Sequence, residues 1–254
     1  MHAQDLFDLT DRVAVVTGGS RGIGLAMATT FAHAGADVVI ASRKGDACEA
    51  AAADIAEATG RRTLGVACHV GRWDDCDRLV EQVHAEFGRC DILVNNAGMS
   101  PLYPDLDSVS EEYWDKVTAV NLKGPFRLGA AFGTAMAGGD GGVIINVSTI
   151  GSLRPAPHDL VYACAKAGLN ALTIGLADAF GPKVRCNAIL PGGVLTDIAD
   201  AWGPEQLAGA ARNPLGRAGQ ADDFVGTALW LASDASAWVT GTLVRVDGGT
   251  FRQL

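Results

Sequence analysis

Tyr162 and Lys166 are the pair in this chain whose types and spacing point most directly to chemistry. The stretch from Val161 to Leu169 reads as the start of a helix, because alanine and leucine dominate it and no proline follows before Pro182. Residues four apart on a helix share a face, with Cβ atoms about 5–6 Å apart. The phenol and the ammonium therefore look into one space. A phenol with an ordinary pKa of about 10 exchanges protons poorly at neutral pH until a nearby cation favours its phenolate. Lys166 is placed to be that cation, so the expectation is a tyrosine with a lowered pKa. Tyrosine and lysine also stand four apart on many solvated helices, and the elements around the pair must decide.

Those elements alternate. The apolar run Val13 to Val16 reads as a strand buried on both faces and ends at Thr17. Gly18, Gly19, Ser20, Arg21, Gly22, Ile23 and Gly24 follow, and then the helical Leu25 to Ala34. A glycine-rich turn between strand and helix lets backbone N–H groups approach a pyrophosphate, although it also makes a tight turn without any ligand. A second strand, Asp37 to Ala41, stops at Ser42, Arg43 and Lys44. An acidic residue at this point would bind a ribose 2′-hydroxyl, whereas arginine accommodates a 2′-phosphate. With no carboxylate at 41–43, Arg43 and Arg21 form a doubly basic pocket, and the cofactor inferred is NADPH rather than NADH. The alternative is that Arg43 and Lys44 only solvate a helix start.

Further helices are expected at Cys48 to Gly60, Trp73 to Phe87 and Glu111 to Ala137, the last interrupted around Gly124 and Pro125 with Asn121 inside it. Strands are expected at Thr63 to Ala67, Asp91 to Val94, Val143 to Val147, Val184 to Leu190 and Thr242 to Asp247, with a late helix from Phe224 to Ser233. This alternation implies βαβ units and a doubly wound parallel sheet with helices on both faces. Asn95 and Asn96 lie where such sheets bind ligands, although an Asx turn explains them equally well. Ser148 and Thr149 leave the fifth strand beside the Tyr162 helix, where a hydroxyl can reach a substrate oxygen or merely cap a turn. Residues 197–220, with Trp202, Pro204, Leu207 and Pro214, are the expected substrate lid.

With 254 residues and 48% hydrophobic content the chain suits one domain, 1–254. The 20 basic and 29 acidic residues give a net charge of −9, with no basic run for nucleic acid. The polar, acidic N-terminus and the absence of any window approaching a span of ~18 apolar residues point to a cytoplasmic protein with no membrane partner. Cys48, Cys68, Cys76, Cys90, Cys164 and Cys186 have no C-x-x-C spacing, and no metal is expected. Reduced, mostly buried thiols follow.

Taken together, Thr17-Gly18 with Gly22-Ile23-Gly24, Asn95 to Gly98, Asn121, the hydroxyls after strand five, Tyr162 with Lys166, and Pro191-Gly192 resemble the short-chain dehydrogenase/reductase family over essentially the whole chain. The likeness is to its 3-oxoacyl-(acyl-carrier-protein) reductase-like members. The resemblance implies a Rossmann-like sheet of about seven strands, a homotetramer or homodimer, and hydride transfer between nicotinamide and a carbonyl/alcohol pair. It implies Tyr162 as general acid, Lys166 lowering its pKa and holding the nicotinamide ribose, and Asn121 holding a water in a proton relay. The family's serine has twelve residues between it and the tyrosine, which here puts Thr149, not Ser148, at that position. Cofactor contacts fall by the same resemblance to Gly18, Ser20, Arg21, Gly22, Ile23, Gly24, Ser42 and Arg43. They continue through His69, Val70, Asn95, Ala97, Gly98, Tyr162, Lys166, Pro191, Gly192, Val194 and Thr196. His69 stands where the family usually carries an adenine-binding aspartate. The spacing of Tyr162 and Lys166 resembles ketone-reducing members rather than enoyl reductases, whose spacing is longer. The alternatives are an NAD-dependent polyol, sugar or secondary-alcohol dehydrogenase, and a catalytically silent nucleotide-binding protein.

Overall fold

A glycine turn and an asparagine turn meet at the carboxyl ends of neighbouring strands, and the sheet order explains how. The computed structural model describes residues 3–195 and 208–251. Thr196 and positions 197–207 of the expected lid, Trp202 and Leu207 included, lie outside the described residues. Seven strands pair in parallel in the order β3-β2-β1-β4-β5-β6-β7. They are β1 (Val13–Thr17), β2 (Asp37–Ser42), β3 (Thr63–Ala67), β4 (Ile92–Asn95), β5 (Gly142–Val147), β6 (Val184–Pro191) and β7 (Leu243–Val246). The order reverses between β1 and β4, the switch point outside which open α/β sheets leave a crevice.

The apolar strands place alternate residues on opposite faces. Ala14, Val16, Val38 and Ile40 pack under α1 (Gly22–His33) and α2 (Gly45–Thr59), while Val13, Val15 and Val39 pack with Leu79 and Val83 of α3 (Trp73–Phe87). The remaining described helices are α4 (Glu111–Thr118), α5 (Gly124–Gly138), α6 (Leu160–Phe180) and α7 (Val225–Ala232). Five of the six free cysteines are buried and Cys164 is exposed.

Two expectations are corrected. The break in the long helical region is not at Gly124-Pro125 but one step earlier, a π turn at Ala119–Lys123 with Asn121 in its middle. Pro125 sits at the start of α5, where a missing N–H costs nothing. Gly124 is there for space: a Cβ would lie 2.3 Å from the Val70 carbonyl oxygen. The second correction concerns hydropathy, since Pro157–Phe180 is long and apolar enough by composition to cross a membrane. Half of that window is buried in the protein, with Leu169, Thr173 and Leu176 turned inward, so it serves as a core helix. Residues 208–220 are held to β6, Gly219 bridging Val194 and Leu195 donating to the Gly219 carbonyl at 2.9 Å.

Candidate active site

Thr17, at the end of β1, ties the switch point together. Its hydroxyl donates to the Val94 carbonyl at 3.1 Å and accepts from the N–H groups of Asn96 and Ala97, each at 3.1 Å. Asn96 completes the stitch, its Nδ2 donating to the carbonyls of Thr17 and Gly18 at 3.0 and 3.2 Å. Asn96 is therefore structural. Gly18 and Gly22 have φ of +63° and +56°, and a Cβ on Gly24 would stand 2.4 Å from Gly18 O and Asn96 Nδ2. Arg21 occupies the N-cap position of α1 without capping it by its side chain, which leaves the leading N–H groups of Gly22, Ile23 and Gly24 for an anion. A glycine cradle ending in uncapped N–H groups fits a dinucleotide pyrophosphate.

The hydroxyl oxygens of Ser20 and Ser42 are 3.0 Å apart and join the glycine turn to the end of β2, the residue before Arg21 meeting the residue before Arg43. Arg43 is exposed and makes no ion pair among the described residues. After β3, the His69 N–H donates to Asp75 Oδ2 at 3.0 Å and its Nδ1 accepts from the Gly71 N–H at 3.2 Å. Val70 is buried. The Asn95 side chain is not available to a ligand: its Nδ2 donates to Asn146 Oδ1 at 2.9 Å inside the sheet. Asn146 in turn donates to Thr173 Oγ1 at 2.9 Å, a buried polar ladder that sequence reading overlooked, although an asparagine within an apolar strand was its signal. Pro191 ends β6, and Gly192 lies so close to β7 that a Cβ would stand 2.9 Å from the Asp247 Cα.

Further contacts bind α6 to the end of β5 and the turn after it. Lys166, 2% exposed, donates from Nζ to the Val147 carbonyl at 2.7 Å. Ser148 donates to the Lys166 carbonyl at 3.3 Å, and Asn170 donates to Ser152 Oγ at 2.8 Å. Ser148 is thus buried and spent, while Thr149, half-buried, accepts from the Gly151 N–H at 3.2 Å and keeps its own hydrogen to donate. Lys166 Nζ stands 5.7 Å from the centre of the Tyr162 ring, as the spacing requires. A Cβ on Gly98 would lie 3.1 Å from Asn121 Oδ1 and 3.6 Å from Lys166 Nζ, so these three residues converge. The Asn121 carboxamide donates to the carbonyls of Met99 and Val117 at 2.8 and 2.9 Å. Tyr103 was also missed: its hydroxyl donates to the Pro157 carbonyl and accepts from the Leu160 N–H, both at 2.8 Å.

Residues 18–250 match the family described as Enoyl-(Acyl carrier protein) reductase. The chain belongs to the short-chain dehydrogenase/reductase family. It is 39% identical to the 3-oxoacyl-[acyl-carrier-protein] reductase of Chlamydia trachomatis, covering 95% of this chain and 98% of that one. It is 40% identical to the L-rhamnose 1-dehydrogenase (NAD(P)(+)) of Azotobacter vinelandii, covering 97% and 99%. Among solved structures, the gluconate 5-dehydrogenase of Burkholderia cenocepacia, in complex with NADP and tartrate, superposes with a TM-score of 0.93 at 32% identity, covering 98% of each chain. The chain is accordingly an oxidoreductase that acts on alcohol and ketone groups with NAD(P).

The electrostatics of this site reverse one expectation. Tyr162 is not lowered: burial pushes its pKa above the ordinary phenol value, and the Asp159 charge adds to the shift. Burial also pulls Lys166 down to about 7. Spacing brought the two groups together, but desolvation disfavours both charged forms and outweighs their attraction in the protein alone. Between pH 7 and the ordinary lysine value of about 10.4, the unfolded chain holds a proton on Lys166 that the folded protein lacks. Folding stability attributable to Lys166 therefore rises with pH through that window. Urea denaturation of cofactor-free wild type and Lys166→Met should show the wild type gaining relative to the variant from pH 7 to 10, by up to about 1.4 kcal/mol per pH unit. A pH-independent difference refutes it.

Proposed function

We propose that this enzyme reduces a ketone or 3-oxoacyl group to a secondary alcohol with NADPH. The observation carrying this is the Tyr162–Lys166 pair packed against the end of β5, with Thr149 beside it keeping a donor hydrogen. The uncapped N–H groups of Gly22 to Gly24, the Ser20–Ser42 contact and Arg43 suit a 2′-phosphorylated dinucleotide, with Ala97, Gly98, His69, Val70, Gly192 and Val194 along its path. When bound, the reduced nicotinamide supplies the hydride.

The chain's own residues do the rest. Raised by burial, the Tyr162 phenol is fully protonated at neutral pH and gives its proton to the carbonyl oxygen as the hydride reaches carbon. Thr149 donates a hydrogen bond to the same oxygen, stabilising the charge that develops there. Lys166 orients the ribose, and once Tyr162 has given up its proton the phenolate beside it favours the ammonium form, which compensates the negative charge left there. Asn121 fixes the loop at Met99, and a proton relay at Asn121 runs through its main chain because the carboxamide is committed. Three residues between Tyr162 and Lys166 favour ketone reduction over the enoyl reduction named in the matching family's description. The sugar-directed names of the rhamnose and gluconate relatives support polyol or sugar oxidation as the second reading.

Self-association as a homodimer or homotetramer accounts for the exposed Trp114, Phe126 and Ile174 on α4, α5 and α6, and for Trp238, 98% exposed beyond α7. The location proposed is the cytoplasm.

The test is a screen of ketones, 3-oxoacyl thioesters and sugars with NADPH and NADH, followed by two variants. Thr149→Val should cost about 10²-fold in kcat, the worth of one donor at a developing oxyanion. Ser148→Ala should leave kcat nearly unchanged. No turnover in either direction across the screen would overturn the proposal, and preference for NADH with polyols would favour the second reading.

A further inference from the structure

Asp159 occupies the N-cap position of α6, where a carboxylate ordinarily accepts from the helix's leading N–H groups. Here it makes no such bond, and the Leu160 N–H donates instead to the Tyr103 hydroxyl. Its Oδ1 turns back to accept from the Ala156 N–H at 3.2 Å. Oδ2 accepts no hydrogen bond among the described residues. A Cβ added to Gly151 would stand 3.5 Å from Thr149 Oγ1 and 3.8 Å from Asp159 Oδ2, so the open carboxylate oxygen and the Thr149 hydroxyl flank one point. Tyr162 lies one helical turn further on and feels the Asp159 charge. The carboxylate thus sits beside Thr149 and Tyr162, at the corner of the proposed carbonyl site.

Resting on the function proposed above, we propose that Asp159 is a further specificity residue of the carbonyl pocket. Its open oxygen accepts hydrogen bonds from hydroxyl or ammonium groups flanking the reacting carbon and repels a carboxylate there. The substrate class is then a neutral hydroxylated or a cationic ketone, not a keto acid. The charged and titratable groups around Tyr162 are Lys166 on its own helix, Asp159 before it, and Tyr103 and Tyr113 from the loop and α4. Burial raises the Tyr113 phenol, with smaller contributions from Tyr103 and then Asp159. Arg154 and His158 are exposed on the Asp159 loop and form no ion pair with it among the described residues.

The test compares a neutral ketose with the keto-aldonate of the same carbon skeleton, using NADPH, in wild type and Asp159→Asn. Asparagine keeps an acceptor for the Ala156 N–H. The wild type should favour the ketose, and the variant should lose about tenfold or more of that kcat/KM ratio. An unchanged ratio overturns the proposal. A second readout needs no turnover: the chain's three tyrosines all lie in this one cluster. Their phenolate absorbance should appear at lower pH in Asp159→Asn, and Tyr162→Phe in the same background identifies the group responsible. If the wild type reduces neither sugar, the substrate reading fails separately, and an unmoved phenol titration alone overturns the role of Asp159.

Discussion

Tyr162→Phe should lower kcat for ketone reduction by about 10³-fold, the usual worth of a positioned general acid, while cofactor affinity stays nearly unchanged. The substitution removes one oxygen and leaves the ring, which packs with Tyr103, Val117 and Val161. The fold around it therefore has no reason to shift. Its replacement as donor is poor: Lys166 is directed at the Val147 carbonyl, and the Thr149 hydroxyl is far too weak an acid to give up its proton. Stopped-flow loss of reduced-nicotinamide absorbance, with a binding titration followed by fluorescence, separates the two quantities. A kcat within tenfold of wild type would remove Tyr162 from the chemistry, and a parallel collapse of cofactor binding would make it a binding residue.

The strands were legible because a strand buried on both faces must be continuously apolar, and the two ligand-facing turns because glycine and asparagine punctuate such strands. What stayed hidden depends on neighbours distant in sequence. Gly124-Pro125 reads as a helix break, yet the Val70 carbonyl demands that glycine and the π turn falls before it. Asn95 reads as a ligand residue, yet its register partner in β5 is Asn146, and its Nδ2 donates to the Asn146 carboxamide oxygen in the core. That Ser148 spends its hydroxyl on the Lys166 carbonyl of α6 could not be read from the sequence either. The direction of the Tyr162 shift was invisible for the same reason. Spacing along a helix tells which groups meet, whereas desolvation depends on everything packed around them.

Arg43→Asp should reverse cofactor preference, lowering the ratio of kcat/KM with NADPH to that with NADH by more than about 10²-fold. A charge-assisted hydrogen bond is worth about 1.5–3 kcal/mol, so losing the guanidinium alone removes roughly ten- to hundredfold of NADPH affinity. Aspartate then adds repulsion toward a 2′-phosphate and an acceptor for a 2′-hydroxyl. Arg21 remains, following the Ser20 that meets Ser42, and limits the expected loss with NADPH. Stability should not change, because Arg43 is exposed and has no internal ion pair among the described residues to lose. The melting temperature of the cofactor-free variant checks that condition. An intact NADPH preference in a normally folded variant would shift recognition of the 2′ position to Arg21 and the glycine turn. A wild type that prefers NADH from the outset would instead mean that the serines, not the arginines, define the pocket, and the polyol-oxidising reading would take precedence.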